Sequence, residues 1–459
     1  MALLVTIIMS SEKRFSTIAN NYPTFQDINP LALNPSRWMN SRRADDKAEG
    51  LWRLHDTLYD LTDFVKLHPG GADWIKFTRG TDITEAFEVH HIYPALPERL
   101  LEKYKVRKAT EPRNYKFTFN DDGFFRTFRR KVAKKLKTVD RSPEKMSKIY
   151  IDGFLFVTFL AAILAMQWDS MALVILSSLC LNYTTISAHN FFHQKDNFRM
   201  YYFNLCFLSY RDWRIQHSIS HHLYTNSLYD LEVTTFEPFL CWIPKASKNV
   251  VQRYVSWIYS PFIYSAIFIL HYIQNLILCI VNRKNLLRLE HLIPFTLPLA
   301  MYILGGQNFT MVLKTWMSII FIGSFFFGFI GLNAGHHNNH NVHEGDTLRQ
   351  VSNMDWGIYC LDTVIDNSAI SHSHLASLTH FGNHLMHHLI PTIDHGIISQ
   401  FYTILFETMA EFEAEFEEYP WSVLIIGQFK QLAKNKPITE DPIVRKKLRI
   451  KEHGGRKMG

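Results

Sequence analysis

The sequence predicts a chain in two parts: a small soluble globular unit, then an all-helical domain that crosses a membrane several times. Three observations carry this expectation. At 459 residues the chain exceeds what one ordinary core accommodates. Hydrophobic residues make up 47% and aromatics 14%, yet the mean hydropathy is near zero, so apolar and polar residues sit in separate blocks. The long apolar runs fall between 151 and 333, whereas residues 51–110 have the mixed pattern of a folded soluble unit.

Charge and cysteine usage narrow the class. The net charge of +7 is modest, and the basic runs RRKVAKKLK (129–137) and RKKLRIKEHGGRK (445–457) flank the apolar region. Beside membrane spans such runs mark the cytosolic side, and no nucleic-acid partner is expected. The five cysteines (Cys180, Cys206, Cys241, Cys279, Cys360) lie far apart without a CxxC pair, which argues against a disulfide framework or a thiolate metal site. The run ALLVTIIM near the start has no basic region before it and no obvious cleavage site after it, so it makes a poor signal peptide.

Residues 1–34 read as an irregular N-terminal segment and residues 111–148 as a basic linker. The runs 151–167 and 171–186, separated by WDS, read as a tight transmembrane hairpin; flanking residues extend each toward the ~20 that span a bilayer core. Three further apolar runs follow at roughly 254–281, 289–304 and 308–333. If the histidine clusters on either side of them share one site, the chain crosses an even number of times between those clusters. Two of the three runs then span, with 308–333 one of them, and the third lies in the interface or is buried in protein. The membrane domain is placed at 149–420 with about four transmembrane helices, and a basic tail at 421–459.

Two histidine constellations carry the chemistry. HPGG at His68–Gly71 forces a tight turn that presents an imidazole at the rim of a pocket. With LYDLTDFVKLHPGG before GTDITEAFEVHH, residues 35–110 resemble the cytochrome b5 domain, an α+β haem-binding fold. That resemblance implies a b-type haem with His68 and His91 as axial ligands, His90 being the alternative register. Bis-histidine ligation leaves no open iron position, so such a haem carries electrons. Leu54, Leu58, Phe64, Ile75, Phe77 and Phe87 are expected in the haem pocket or the small core behind it.

The second constellation is three clusters: HNFFH (His189, His193), HSISHH (His217, His221, His222) and HLMHH (His384, His387, His388). Spacings of i, i+3 and i, i+4 put imidazoles on one helix face, where they can converge on a metal. Eight neutral imidazoles without Cys or HExxH suit first-row metals, iron among several. The order of these boxes around paired apolar runs resembles the membrane fatty-acid desaturases, the front-end group fused to cytochrome b5 among them. WRIQHSISHHLYTNSLYDLEV (213–233) and DWGIYCLDTVID (355–366) with HHLIP (387–391) carry the likeness.

The resemblance implies a pair of non-haem irons on the boxes, with a further ligand at His337 one turn after Asn333; His336 competes for that place. Three departures from the front-end pattern stand out: Asn190 in place of Asp, His384 in place of Gln, and three residues rather than two inside the second box. His380 is expected to support His384 from behind, and His372, His374 and His395 to lie in loops or at the surface. Phe191, Phe192, Phe325, Phe326 and Phe327 are candidate lining for an acyl tunnel.

The resemblance also implies the activity. It is O2-dependent desaturation of a fatty acyl lipid at the endoplasmic reticulum membrane, with the haem domain and boxes facing the cytosol. Electrons would arrive from NADH through cytochrome b5 reductase, since no GxGxxG follows a strand here. Two rivals share the ligand set: an acyl or sphingoid hydroxylase, and a membrane-tethered haem protein that only carries electrons.

Overall fold

The computed structural model describes residues 15–28, 32–281, 288–306, 308–349, 353–371 and 373–453. The haem-type domain begins where Asn34 caps helix α1 (Pro35–Asp45), accepting from Arg37 N at 2.8 Å, with Pro35 pre-set for the first turn. Strands β1 (Trp52–Leu54) and β2 (Thr57–Tyr59) form a hairpin, and β3 (Lys105–Lys108) adds antiparallel to β2. Between β2 and β3 lie α2 (Ala72–Phe77) and α3 (Thr84–His90), with the expected haem ligands His68 just before the first and His91 just after the second. Trp52, Leu54, Tyr59, Phe87 and Leu101 make a small core joined by Phe64 and Ile75. Phe77 departs from expectation and packs instead against the core of the second domain, since the α2–α3 face is turned toward it.

That face is built into the larger domain. Val89 and Ile92 belong to the same buried cluster as Phe125 of α4 (Phe124–Lys135) and as Leu385 and Leu389 of the third histidine box. Glu88 of α3 pairs with Arg129 at 2.8 Å and with Arg126, both on α4. Residues 15–28 also join the core through Ile18, Ala19 and Phe25. Arg42 of α1 is the central tie. It is fully buried, its Nε meets Asp46 Oδ2 at 2.8 Å and its Nη2 donates to Asp82 O at 2.9 Å. Its guanidinium lies over Trp38, Tyr115 and Tyr224 at 4.9–5.0 Å. Burial pushes the Asp46 carboxyl up to about 6, against the pull of Arg42.

In the membrane domain, α5 (Pro143–Trp168) and α6 (Met171–Phe192) form the expected hairpin, turning at Asp169 with φ of 44°. Residues 210–224 form one continuous helix, α7, whose centre Arg214–His221 is π-helical. Then come α8 (Ser256–Val281), a 3₁₀ turn Leu289–Phe295 leading into α9 (Thr296–Gly305), and α10 (Phe309–Leu332) capped by Asn308. Two glycines let α10 pack closely. A Cβ at Gly323 would stand 3.3 Å from Ser178 O, and one at Gly328 would stand 2.8 Å from Tyr264 Cβ.

Among the described residues four helices are long and apolar enough to cross a membrane: α5, α6, Val251–Leu278 and α10; Leu289–Gly305 is a shorter apolar helix. Contacts refine this reading. At one end of α8, Arg253 Nε donates to Ala433 O at 2.8 Å; near the other, Gln274 Nε2 donates to Leu33 O at 3.0 Å and Asn275 reaches Asp212 at 3.4 Å. Both ends therefore lie on the histidine side. By contrast Leu289–Gly305 starts beside Arg211, which pairs with Glu290 at 2.8 Å, and ends at the α5–α6 turn, where Gln167 Nε2 donates to Leu304 O at 3.0 Å. The even crossing between the boxes is then made by Leu289–Gly305 and α10. Hydropathy could not choose between them because α8 is the longer run.

Two outcomes check this architecture. Arg42→Ala leaves the Asp46 carboxylate and three aromatic faces without their buried cation, and stability should drop by about 3–5 kcal/mol, read from thermal unfolding. A cysteine at Leu289 and one at Phe309, both exposed positions, should react with an impermeant maleimide from opposite sides of a sealed vesicle. Labelling from one side only would return α8 to the role of a span.

Candidate metal centre

His68 and His91 face each other across the small domain, their ring centroids 6.3 Å apart and their planes at 72°. Each Nδ1 is occupied by a backbone carbonyl, His68 by Gly71 O and His91 by Phe87 O, both at 2.9 Å. This leaves each Nε2 free to point inward. With metal–nitrogen bonds of ~2 Å, two imidazoles on opposite sides of one iron put their centroids about 6 Å apart, so the pair fits a haem. Gly70 keeps the cradle open, because a Cβ there would stand 2.9 Å from His68 Cε1. His90 does not share this gap. Its Nδ1 is bound to Ala86 O at 2.8 Å and its ring lies 5.6 Å from Trp74. Burial pushes both His90 and His91 down to about 4.

The box histidines collect into two buried groups. His189, His193, His217, His222 and His387 offer nitrogens all within 4.8 Å of one another, and so do His221, His336, His384 and His388. In the first group His189 Nε2 lies 2.7 Å from His217 Nε2, 3.0 Å from His193 Nε2 and 3.0 Å from His387 Nε2. In the second, His384 Nε2 and His336 Nε2 meet directly, and both ring nitrogens of His388 are buried without a partner. A buried donor or acceptor left unpaired costs about 1–3 kcal/mol, so a convergent set of them fits metal ions rather than packing alone.

Local structure decides which histidine goes where. His189 and His193 stand one α-turn apart at the end of α6, as the spacing predicts. The π-helical centre of α7 alters the second box. A five-residue step brings His217 and His222 together at 3.0 Å, while His221 turns to the other group. In α11 (His384–Leu389) the box is likewise divided, His387 to the first group and His384 with His388 to the second.

Outward nitrogens are fixed by acceptors and donors around the groups. His217 Nδ1 meets Glu232 Oε1 at 2.7 Å, His221 Nδ1 meets Asp230 Oδ2 at 2.9 Å, and His387 Nδ1 meets His395 Nε2 at 3.1 Å. Burial holds His222, His336, His384, His387 and His388 well below the usual imidazole value, which keeps them neutral. His221 differs: burial alone would lower it, but the Asp230 and Glu232 carboxylates raise it to about 9.

Four expectations change. His336, not His337, enters the second group. His337 stacks on Trp242 at 3.9 Å, and burial pushes it down to about 3. Asn333 donates to Phe329 O at 2.7 Å and leaves its Oδ1 buried without a partner. His395, expected in a loop or at the surface, is buried against His387, whereas His380, expected behind His384, meets Thr379 and Tyr183. His374 is half-buried against Ser147, and His372 lies outside the described residues. His395 was recoverable from sequence only as a histidine eight residues beyond His387; nothing local marks it.

A cavity of about 540 Å³ adjoins both groups, touching His217, His221, His336 and His384. Of the five phenylalanines proposed as lining, Phe327 is there. The cavity reaches Phe239, Phe262 and Leu270, all exposed on the apolar surface of the membrane domain. Gly331 lines it too, and a Cβ there would find only Phe381, at 3.8 Å. Gly331→Phe is therefore expected to fill the cavity without disturbing the fold. Binding of a fluorescent fatty-acid analogue should weaken by roughly tenfold while the melting temperature stays near that of the unaltered protein.

Comparison with known proteins follows this geometry. Residues 124–420 match the family described as Fatty acid desaturase, and residues 38–110 match the Cytochrome b5-like Heme/Steroid binding domain. A Drosophila melanogaster protein named Cytochrome b5-related protein is 41% identical over 94% of this chain and 98% of its own length. The Probable Delta(5) fatty acid desaturase C of Dictyostelium discoideum is 23% identical over 83% of this chain and 91% of its own length. The Acyl-lipid (8-3)-desaturase of Mortierella alpina is 23% identical over 83% and 92%. No solved structure matches.

Proposed function

The chain belongs to the fatty acid desaturase family, with a cytochrome b5-like domain ahead of the desaturase region, and from that premise we propose that it desaturates the acyl chain of a membrane lipid, using O2. The observation that supports this most is the contact between two buried histidine groups and one apolar cavity open toward the bilayer. His189, His193, His217, His222 and His387 would hold one non-haem iron, and His221, His336, His384 and His388 the other. Iron held there supplies an oxidant made from O2 and electrons, strong enough to take two hydrogens from an unactivated methylene pair.

The protein's own part is positional. Glu232, Asp230 and His395 orient the imidazoles through their outer nitrogens. Trp213, Phe327 and Phe381 keep water from the reacting methylenes. Phe239, Phe262 and Leu270 border the route by which an acyl chain enters sideways from the lipid. His68 and His91 would hold a b-type haem that delivers electrons one at a time, recharged from NADH by cytochrome b5 reductase. Since that reductase works in the cytosol, the haem domain and both histidine groups face it, and the membrane is that of the endoplasmic reticulum.

Expression in yeast with fatty-acid profiling tests the reading: the unaltered chain should yield a new unsaturated acyl species, absent with His387→Ala. An oxygenated product would make the protein a hydroxylase; neither product would remove the enzymatic reading. Metal content separates the ninth ligand from its neighbour. Purified protein should hold about two non-haem irons per haem. His336→Ala should lose about half of that iron, and His337→Ala should keep it. Equal loss from both variants would overturn the assignment.

A further inference from the structure

We propose that Trp74 and His90 form the contact through which electrons pass from the haem to the first histidine group, in a haem domain that is held docked. The proposal rests on the functional reading above and adds to it the route. His91 and His90 are consecutive yet point to different places. His91 turns to His68, and His90 turns to Trp74, with ring centroids 5.6 Å apart. His90 Nε2 is buried and has no partner. Trp74, which His90 contacts, lies against Arg214, and Arg214 donates to the carbonyl just before His193. The pair thus stands between the haem cradle and the metal centre, with His90 on a helix whose Val89 packs into the desaturase core.

Trp74 is gripped from the other domain. The Arg214 guanidinium lies 4.6 Å from the centre of its ring. Arg214 is fully buried, and its Nε donates to Phe192 O at 3.0 Å, the carbonyl just before His193. The same side chain pairs with Asp196 at 2.7 Å, and Asp196 N donates to Gly70 O at 3.2 Å in the turn that presents His68. A Cβ at Gly71 would run into the Asp196 carboxylate, so the approach depends on glycine there. Arg211 closes the clasp with an ion pair to Asp73, next to Trp74. The Arg214–Trp74, Asp196–Gly70 and Arg211–Asp73 contacts join the rim of the haem cradle to the segment that carries His193 and His217.

The step is a single-electron transfer. A ferrous haem becomes ferric and one ferric non-haem iron becomes ferrous; no bond forms or breaks and no proton moves. Trp74 and His90 act as relay residues that shorten the gap between the two centres, and neither binds substrate. The buried clasp fixes the distance, so the domain need not swing to deliver each electron.

The test uses the full-length protein loaded with haem and iron. The haem is reduced under argon, then mixed with O2 and acyl lipid, and its reoxidation is followed by its visible absorption. His387→Ala gives the background rate without a complete first group. Reoxidation in the unaltered protein should exceed that background. Trp74→Leu with His90→Leu should fall toward it, slowing by roughly tenfold at unchanged haem and iron content. Trp74→Phe, which keeps a ring in place, should recover most of the rate. If the unaltered protein reoxidises no faster than His387→Ala, the functional reading fails. If it does but the double variant matches it, the relay is wrong. If the double variant loses haem or iron, the Phe variant and His90→Gln decide, since rates unrelated to ring retention at Trp74 would overturn the proposal.

Discussion

Nine buried imidazoles with too few protein partners constrain the whole molecule. Their inner nitrogens crowd to 2.7–3.0 Å, and several have nothing to bond. A fold pays for such a cluster only when a ligand completes it. Four separate pieces of chain must arrive in register to build it: the end of α6, the centre of α7, the end of α10 and α11. The membrane helices serve that requirement by fixing where α6 and α10 end. Small residues at Gly323 and Gly328 bring α6, α8 and α10 close enough for those ends to meet.

The haem domain serves the same centre from above. Its α2–α3 face is packed into the core that carries the third box, and the buried Arg42 ties it to Tyr224 at the end of α7. Charged pairs on Glu88 and Asp73 join the two domains beside that contact, and Asp196 reaches Gly70 through its backbone N–H. The His68–His91 cradle and the buried histidine groups are thereby packed against one shared core.

Much of this was legible in the sequence, and the exceptions have physical causes. The boxes declared themselves because i, i+4 spacing on an α-helix is a local code, and HPGG did so because a glycine turn is. His395 was hidden because its role depends on a contact with His387 rather than on a box spacing, and His336 stood only as the rival of His337 because its partner His384 lies 48 residues on. A choice between adjacent histidines also turns on a few tens of degrees at a helix end, which spacing does not carry. The course of α8 was hidden for another reason: hydropathy reports length and apolarity, and a helix lying along the bilayer can satisfy both. Arg42 left no signal, since a buried arginine and an exposed one look alike in sequence.

The π-helical turn in α7 gives the extra residue of the second box a meaning. A wide turn has poorer hydrogen-bond geometry than an α-turn, so a chain keeps one only where it is needed. Here the wide turn absorbs the added residue, so that His217 and His222 still meet across a five-residue step while His221 faces the other group. The spacer length inside HSISHH is therefore a heritable character that can be read in any relative. A chain one residue shorter at this point needs no wide turn, because an ordinary α-turn then brings the same two histidines together.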